Sequence, residues 1–218
     1  MQIALDFALD IIAKYPIEGP FGAVLVNHHT NAMVCMGCNR GDVNPMRHGE
    51  TMLLENCTAL YPSPSGDSTK DPCLDYQKYT MYTTGEPCPM CATAIAYYKI
   101  GRVVSATPEN HLACMGWPAP RFNSSFVNAQ FQPAYPGATI TKGILADKTD
   151  PYFAKVHNFE LPEDWPASCP EWPNSCPPDS PFKGTQEFHH HSHDHADGDH
   201  QCHMHDHSHC DHSHGSEF

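Results

Sequence analysis

No stretch of this chain approaches the roughly 18 consecutive apolar residues that a membrane-spanning helix needs, so no membrane partner is expected. Basic residues are scarce: 12 Lys and Arg stand against 25 Asp and Glu, a formal net charge of −13. None of the basic residues lies beyond Lys183. Gripping a phosphate backbone takes Lys and Arg to displace counterions, so a nucleic-acid partner is not expected. The N-terminal stretch lacks a leading cationic residue and carries Asp6 and Asp10 among its apolar residues. It therefore does not read as a signal peptide, and a cytoplasmic location is expected. Cysteine is plentiful at eleven residues, but the number is odd and the spacing is not that of a small disulfide framework. A reduced compartment is expected, with metal binding for some of these thiols.

The chain has three parts. Residues 1–159 carry the periodicity of a folded domain. Ile3, Phe7, Leu9, Ile11 and Ile12 lie at helical spacing over 2–14. Phe21–Val26 and Ala32–Cys38 are short apolar runs about the turn residues 27–31, a hairpin. Asn44-Pro45 predicts a helix start, Asn as N-cap and Pro at the first helical position, running to about Leu60. A Pro-rich loop over 61–78 leads to a strand over Tyr79–Thr84. A helix then opens at Pro87 and ends near Lys99 with Gly101 at C′, and a strand follows over Arg102–Ala106. The order α-β-β-α-β-α-β predicts a layered α/β domain. Signals over 108–158 are mixed, with short helices expected at 124–131 and 152–158 and a strand at 139–145. Residues 160–188 form a linker rich in Pro, Trp and Cys. In it Trp165-Pro-Ala-Ser-Cys-Pro170 is echoed by Trp172-Pro-Asn-Ser-Cys-Pro177. That duplication is read as a linker docked by its Trp residues rather than as a clip through Cys169 and Cys176. Residues 189–218 hold twelve of the seventeen His and no large aliphatic residue. Such a tract is expected to be disordered and to bind additional metal ions.

Two short motifs carry the chemistry: His48-Gly49-Glu50, and Pro87-Cys88-Pro89-Met90-Cys91 at the start of the next helix. Cys88 and Cys91, at i and i+3, face the same way. A helix N-terminus favours thiolate over thiol. Zinc takes sulfur and imidazole ligands in tetrahedral geometry, so His48, Cys88 and Cys91 would leave one position for water. Two thiolates and a neutral imidazole cancel the charge of Zn²⁺, which then acidifies its water less than a three-imidazole site does. A base is needed. Glu50, two residues from His48, is expected to take the water proton and pass it to a ring nitrogen and the leaving amine.

The H-x-E and P-C-x-x-C pair resembles the signature of zinc-dependent deaminases of the cytidine/deoxycytidylate deaminase superfamily. Residues 82–95 look like the second zinc motif of tRNA adenosine deaminases and bacterial-type guanine deaminases. Residues 48–57 are similar to the first motif of fungal cytosine deaminase. The resemblance covers about residues 1–107. It implies a three-layer α/β/α fold with a five-stranded mixed sheet, a homodimer, Zn²⁺ as cofactor and a nucleobase or nucleoside as substrate. It also implies that Asn39 hydrogen-bonds the substrate and that backbone groups of Gly49 and Cys91 touch it. The expected reaction is hydrolytic deamination, with guanine and cytosine as leading substrates. Adenosine-to-inosine deamination in tRNA is the alternative, and a metal-handling protein on a deaminase-like scaffold is a further one. Glu109, after the fourth strand, is read as a solvated loop carboxylate rather than a base-reading acid. Cys35 and Cys38 are read as buried small hydrophobes. Trp117, Phe122 and Phe153 are open between stacking on a base and packing, and His111 and His157 are given no role.

Overall fold

The computed structural model describes residues 1–15, 19–67, 72–118, 124, 127 and 138–169. The chain divides into two units, Met1–Lys183 and Gly184–Phe218, and every described residue belongs to the first. The tail, Phe122, Cys176 and the second half of the Trp-Pro duplication lie outside the described residues, as does most of the helix expected at 124–131. Among the described residues no helix is long and apolar enough to cross a membrane.

The elements in chain order are α1 (Gln2–Lys14), β1 (Gly22–Asn27), β2 (Met33–Cys38), α2 (Gly49–Leu60), β3 (Tyr79–Gly85), α3 (Pro89–Tyr98), β4 (Arg102–Thr107), α4 (Glu109–Cys114), β5 (Thr139–Thr141) and α5 (Ala146–Val156). The sheet runs β2-β1-β3-β4-β5. β1 is antiparallel to both β2 and β3, while β3, β4 and β5 are mutually parallel. This is the expected five-stranded mixed sheet. Strand alternation puts Ala23, Leu25, Cys35, Met81 and Val103 on one face, in one cluster with Leu53 and Leu54 of α2 and Ile95 of α3. On the other face α1 lies so close that a side chain at Gly22 would meet Ala8. Helices thus cover both faces. Burying the four aliphatic side chains Leu25, Leu53, Met81 and Ile95, each at most 2% exposed, contributes about 1.5–3 kcal/mol apiece.

Several expected boundaries move. α2 begins at Gly49 with His48 as its extended N-cap, not at Asn44. Asn44 instead caps a turn, its Oδ1 accepting from Met46 N at 2.9 Å, because Pro45 starts a turn as readily as a helix. α3 begins at Pro89 with Cys88 as N-cap, and its left-handed terminal residue is Lys99 (φ 58°), not Gly101. Gly101 is glycine for another reason: a Cβ there would run into the Gln77 carbonyl. Thr139–Thr141 is a shorter strand than expected, and the last helix starts earlier, at Ala146.

Two disulfides tie the frame. Cys35 of β2 joins Cys57 of α2, and Cys114 of α4 joins Cys169. Cys35 is therefore a crosslink rather than a plain core residue, whereas Cys38 is a buried free thiol. Cys169 follows a segment docked on the body. Phe159, Leu161 and Trp165 pack on Phe153 and Ala154, and Trp165 Nε1 donates to Asp150 Oδ2 at 2.7 Å. Asp150 also accepts from Thr107 Oγ1 at 2.7 Å and pairs with His111 Nδ1 at 2.9 Å. His111, given no role from sequence, is part of this buried hub.

Candidate active site

His48 and Cys88 are the N-caps of α2 and α3, so two helix starts converge where β1 begins and β3 ends. The close approach depends on small residues. A Cβ on Gly37 would fall on the backbone of Leu53, and one on Gly49 would come within 3.0 Å of the Phe21 carbonyl oxygen. Helix α2 can therefore lie against the sheet with its first turn beside β1. One turn into α3, Cys91 is fully buried.

The ligand atoms of His48, Cys88 and Cys91 all lie within 4.8 Å of one another. His48 Nδ1 stands 3.5 Å from Cys88 Sγ and 3.6 Å from Cys91 Sγ. Tetrahedral zinc with Zn–N near 2.05 Å and Zn–S near 2.3 Å requires N···S edges of about 3.6 Å. The donor set and its spacing therefore fit a zinc ion with three protein ligands. Hydrogen bonds with Cys91 and His48 hold the Cys88 thiol down at about 4, so it is a thiolate at neutral pH. Its bond with Cys88, and burial, push Cys91 up as the proton holder of the pair. His48 is held above its ordinary value, chiefly by its bond with Cys88.

Glu50, on the first turn of α2, is 4% exposed. Thr83 Oγ1 on β3 donates to its Oε1 at 2.7 Å. Burial raises the Glu50 carboxyl from its ordinary value, and the Thr83 bond partly offsets that rise. Glu50, His48, Cys88 and Asn39 line one cavity of about 370 Å³, together with Phe21, Leu112, Trp117, Glu86 and Glu109. Asn39 is buried and oriented in part by Gly41 N, which donates to its Oδ1 at 3.3 Å. Trp117 forms part of the wall while packing edge-on against Phe21 and Phe153. Phe153 is fully buried in the core.

Sequence reasoning missed Thr83, Glu86 and the true setting of Glu109. Thr83 could have been noticed as a polar residue at an inward strand position. Glu86 had no local signal. It accepts from Lys142 Nζ at 2.6 Å, from Ser124 N and Oγ at 3.2 and 2.7 Å, and from Glu109 N at 3.1 Å. Glu109 is not a solvated loop carboxylate: it is 5% exposed, and its Oε1 has no hydrogen-bond partner among the described residues. Burial, then the neighbouring charges of Glu86 and Cys88, push its carboxyl up to about 9.

The family model for the cytidine and deoxycytidylate deaminase zinc-binding region matches residues 1–107. The chain is 32% identical over 112 residues to cytosine deaminase of Candida albicans, covering 50% of this chain and 67% of that one. It is 32% identical over 114 residues to guanine deaminase of Bacillus subtilis, covering 51% and 62%. The chain spans about half to two thirds of the length of its curated base-deaminase relatives. Among solved structures, a guanine deaminase from Nitrosomonas europaea superposes with a TM-score of 0.55 at 22% identity, over 72% of this chain and 82% of that one. The fold is therefore shared.

Proposed function

The chain belongs to the cytidine and deoxycytidylate deaminase family, and on that premise we propose that it is a zinc-dependent hydrolase. It removes an amino group from a free nucleobase or nucleoside, with guanine and cytosine as the first candidates. The observation that carries this reading is the buried Glu50 carboxylate beside His48, Cys88 and Cys91 in the wall of one cavity. Zinc held by these three residues would supply the acidity that makes water a nucleophile near neutral pH. Glu50 is not part of the ligand set, and burial has increased the basicity of its carboxyl, which suits a group that must accept and return protons. Thr83 fixes its orientation. Asn39 supplies both a donor and an acceptor to the substrate ring, and Gly49 brings the helix backbone within reach of it. Phe21, Leu112 and Trp117 offer apolar surface to a flat ring.

No Lys or Arg lines the cavity among the described residues, which favours an unphosphorylated substrate. The same absence, with the acidic balance of the chain, weighs against tRNA as the substrate. The reading carries a cytoplasmic homodimer, for which Leu60 and Tyr97, both more than half exposed, offer apolar surface. The His-rich tail is read as binding additional metal ions with no part in turnover. Ammonia release from guanine, cytosine, adenine and their nucleosides by the zinc-loaded protein tests the proposal, with Glu50→Ala as control. Turnover abolished in the variant supports it. Silence across the panel with zinc at the site refutes it in favour of another amine-bearing substrate. Turnover kept when the tail is deleted supports the enzyme; no turnover with loss of metal binding on tail deletion favours the metal-handling alternative.

A further inference from the structure

We propose that the segment 159–169 is a strap that positions the apolar wall of the cavity from behind, with Trp165 as its positioning residue. The strap governs how tightly a ring is held, not how fast it reacts. This rests on the cavity being the substrate site, as proposed above.

The two parts of the site stand on different cores. The candidate zinc ligands and Glu50 ride on the first turns of α2 and α3. Those helices contribute Leu53, Leu54 and Ile95 to the main cluster against the sheet. The apolar wall is built otherwise. Phe21, Leu112 and Trp117 line the cavity and pack in a separate cluster with Phe153 and Ala154. Phe159, Leu161 and Trp165 of the strap pack on that same cluster, yet no residue of 159–169 lines the cavity. The strap therefore reaches the substrate only through the wall.

Polar groups fasten the strap along the same route. Asp150 on α5 is 1% exposed. It accepts from Thr107 Oγ1 at the end of β4 and from Trp165 Nε1 on the strap, both at 2.7 Å, and pairs with His111 Nδ1 on α4 at 2.9 Å. A buried carboxylate short of a donor is costly, so the Trp165 N–H stabilises the arrangement that also holds β4 and α4. The Trp165 ring stands 5.0 Å from that of His111, centroid to centroid. Cys169, at the end of the strap, is bonded to Cys114, the last residue of α4. A helix of six residues does not hold its shape by its own hydrogen bonds. The place of α4, and with it of Leu112 and the following Trp117, is thus set by these fasteners. Apart from Thr107, every residue of this fastening lies beyond the stretch that the family model matches. A wall displaced by roughly 0.5–1 Å forfeits a quarter to a half of each dispersion contact with a flat ring, while the residues on the main core stay in place.

The test is calorimetric binding of guanine, cytosine and adenine to the full-length, zinc-loaded protein, with steady-state ammonia release followed alongside. Trp165→Phe keeps a ring in the cluster and removes the N–H. For a base that the wild type takes, it should raise Kd and KM about two- to thirtyfold, with kcat and bound zinc unchanged, the signature of lost uniform binding. Replacing both Cys114 and Cys169 by Ala should act in the same direction. Ile100→Val trims the main core, controls for general loosening and should leave KM as it is. Thermal midpoints report whether each variant folds, and one folded strap variant suffices. Unchanged Kd and KM in the strap variants overturn the inference. An equal rise in Ile100→Val, or a loss of kcat or zinc in place of a rise in KM, overturns it too, since the strap would then be merely structural. Ammonia release by a wild type whose strap variants match it sinks the strap and leaves the reaction. Strap-dependent binding without ammonia release keeps the strap and sinks the reaction. Neither binding nor release by the wild type overturns both.

Discussion

Thr83→Val removes one donor from Glu50 while keeping the shape of the side chain. Thr83 and Glu50 are 1% and 4% exposed, and their hydrogen bond is 2.7 Å long, so water does not replace the lost donor without rearrangement. A hydrogen bond to a charged group is worth about 1.5–3 kcal/mol. Here it stabilises only the ionised form, and each 1.36 kcal/mol is one pKa unit, so the Glu50 pKa should rise by about one to two units. With Glu50 as the proposed base, activity is expected to be lost on the acid side of its pKa. The acidic limb of kcat/KM should therefore move to higher pH by about one to two units. Thr83→Ser keeps the donor and should leave the limb near its wild-type position. Superimposable acidic limbs in wild type and Thr83→Val, or a loss of rate equal at every pH, would refute the assignment of Glu50 as a base tuned by Thr83.

Other consequences are as direct. The Cys114–Cys169 disulfide closes a separation of 55 residues, and loop-closure entropy credits such a crosslink with about 4 kcal/mol. Replacing both cysteines by Ala should lower urea stability toward that value. Identical wild-type unfolding with and without a dithiol reductant would show that no disulfide contributes. The Glu109 carboxyl is raised from its model-compound 4.5 to about 9, so the folded state holds the extra proton. Its contribution to stability is complete below about pH 4.5 and is lost as pH rises through about 9. Glu109→Gln should flatten thermal stability over that window, and parallel wild-type and variant curves would contradict it. Gly37→Ala places a methyl on the Leu53 backbone and should force α2 off the sheet. The expected loss is about 1–3 kcal/mol, with weakened zinc retention measured by metal analysis after dialysis.

Much of the site was legible because its chemistry is local. Cys88 and Cys91 share a helix turn, and His48 and Glu50 share another, so spacing alone gave their roles a physical basis. The β1–β2 hairpin and α1 were legible from period and turn residues. What failed to show was long-range. Nothing near Glu86 announces Lys142, 56 positions on, or Ser124, 38 positions on. The burial of Glu109 comes with its place beside Glu86 in the cavity wall, which its position just after a strand does not announce. Cys35 pairs with Cys57 across two elements, and strand alternation reports only that it points inward. The helix start at Asn44-Pro45 misled because the same dipeptide caps a turn, and His48, which no cap preference favours, holds that position because its ring faces the thiols. The two disulfides also set a tension with the cytoplasmic proposal, since reducing compartments disfavour such bonds. Mass mapping of peptides without reduction resolves it.

The central claim is that water replaces an amino group at the Glu50 site, and turnover in ¹⁸O-labelled water tests it most directly. The account predicts one heavy oxygen in the deaminated base for each ammonia released, with both signals lost in Glu50→Ala. Ammonia without label in the base, or label and ammonia undiminished in Glu50→Ala at equal zinc content, would contradict it.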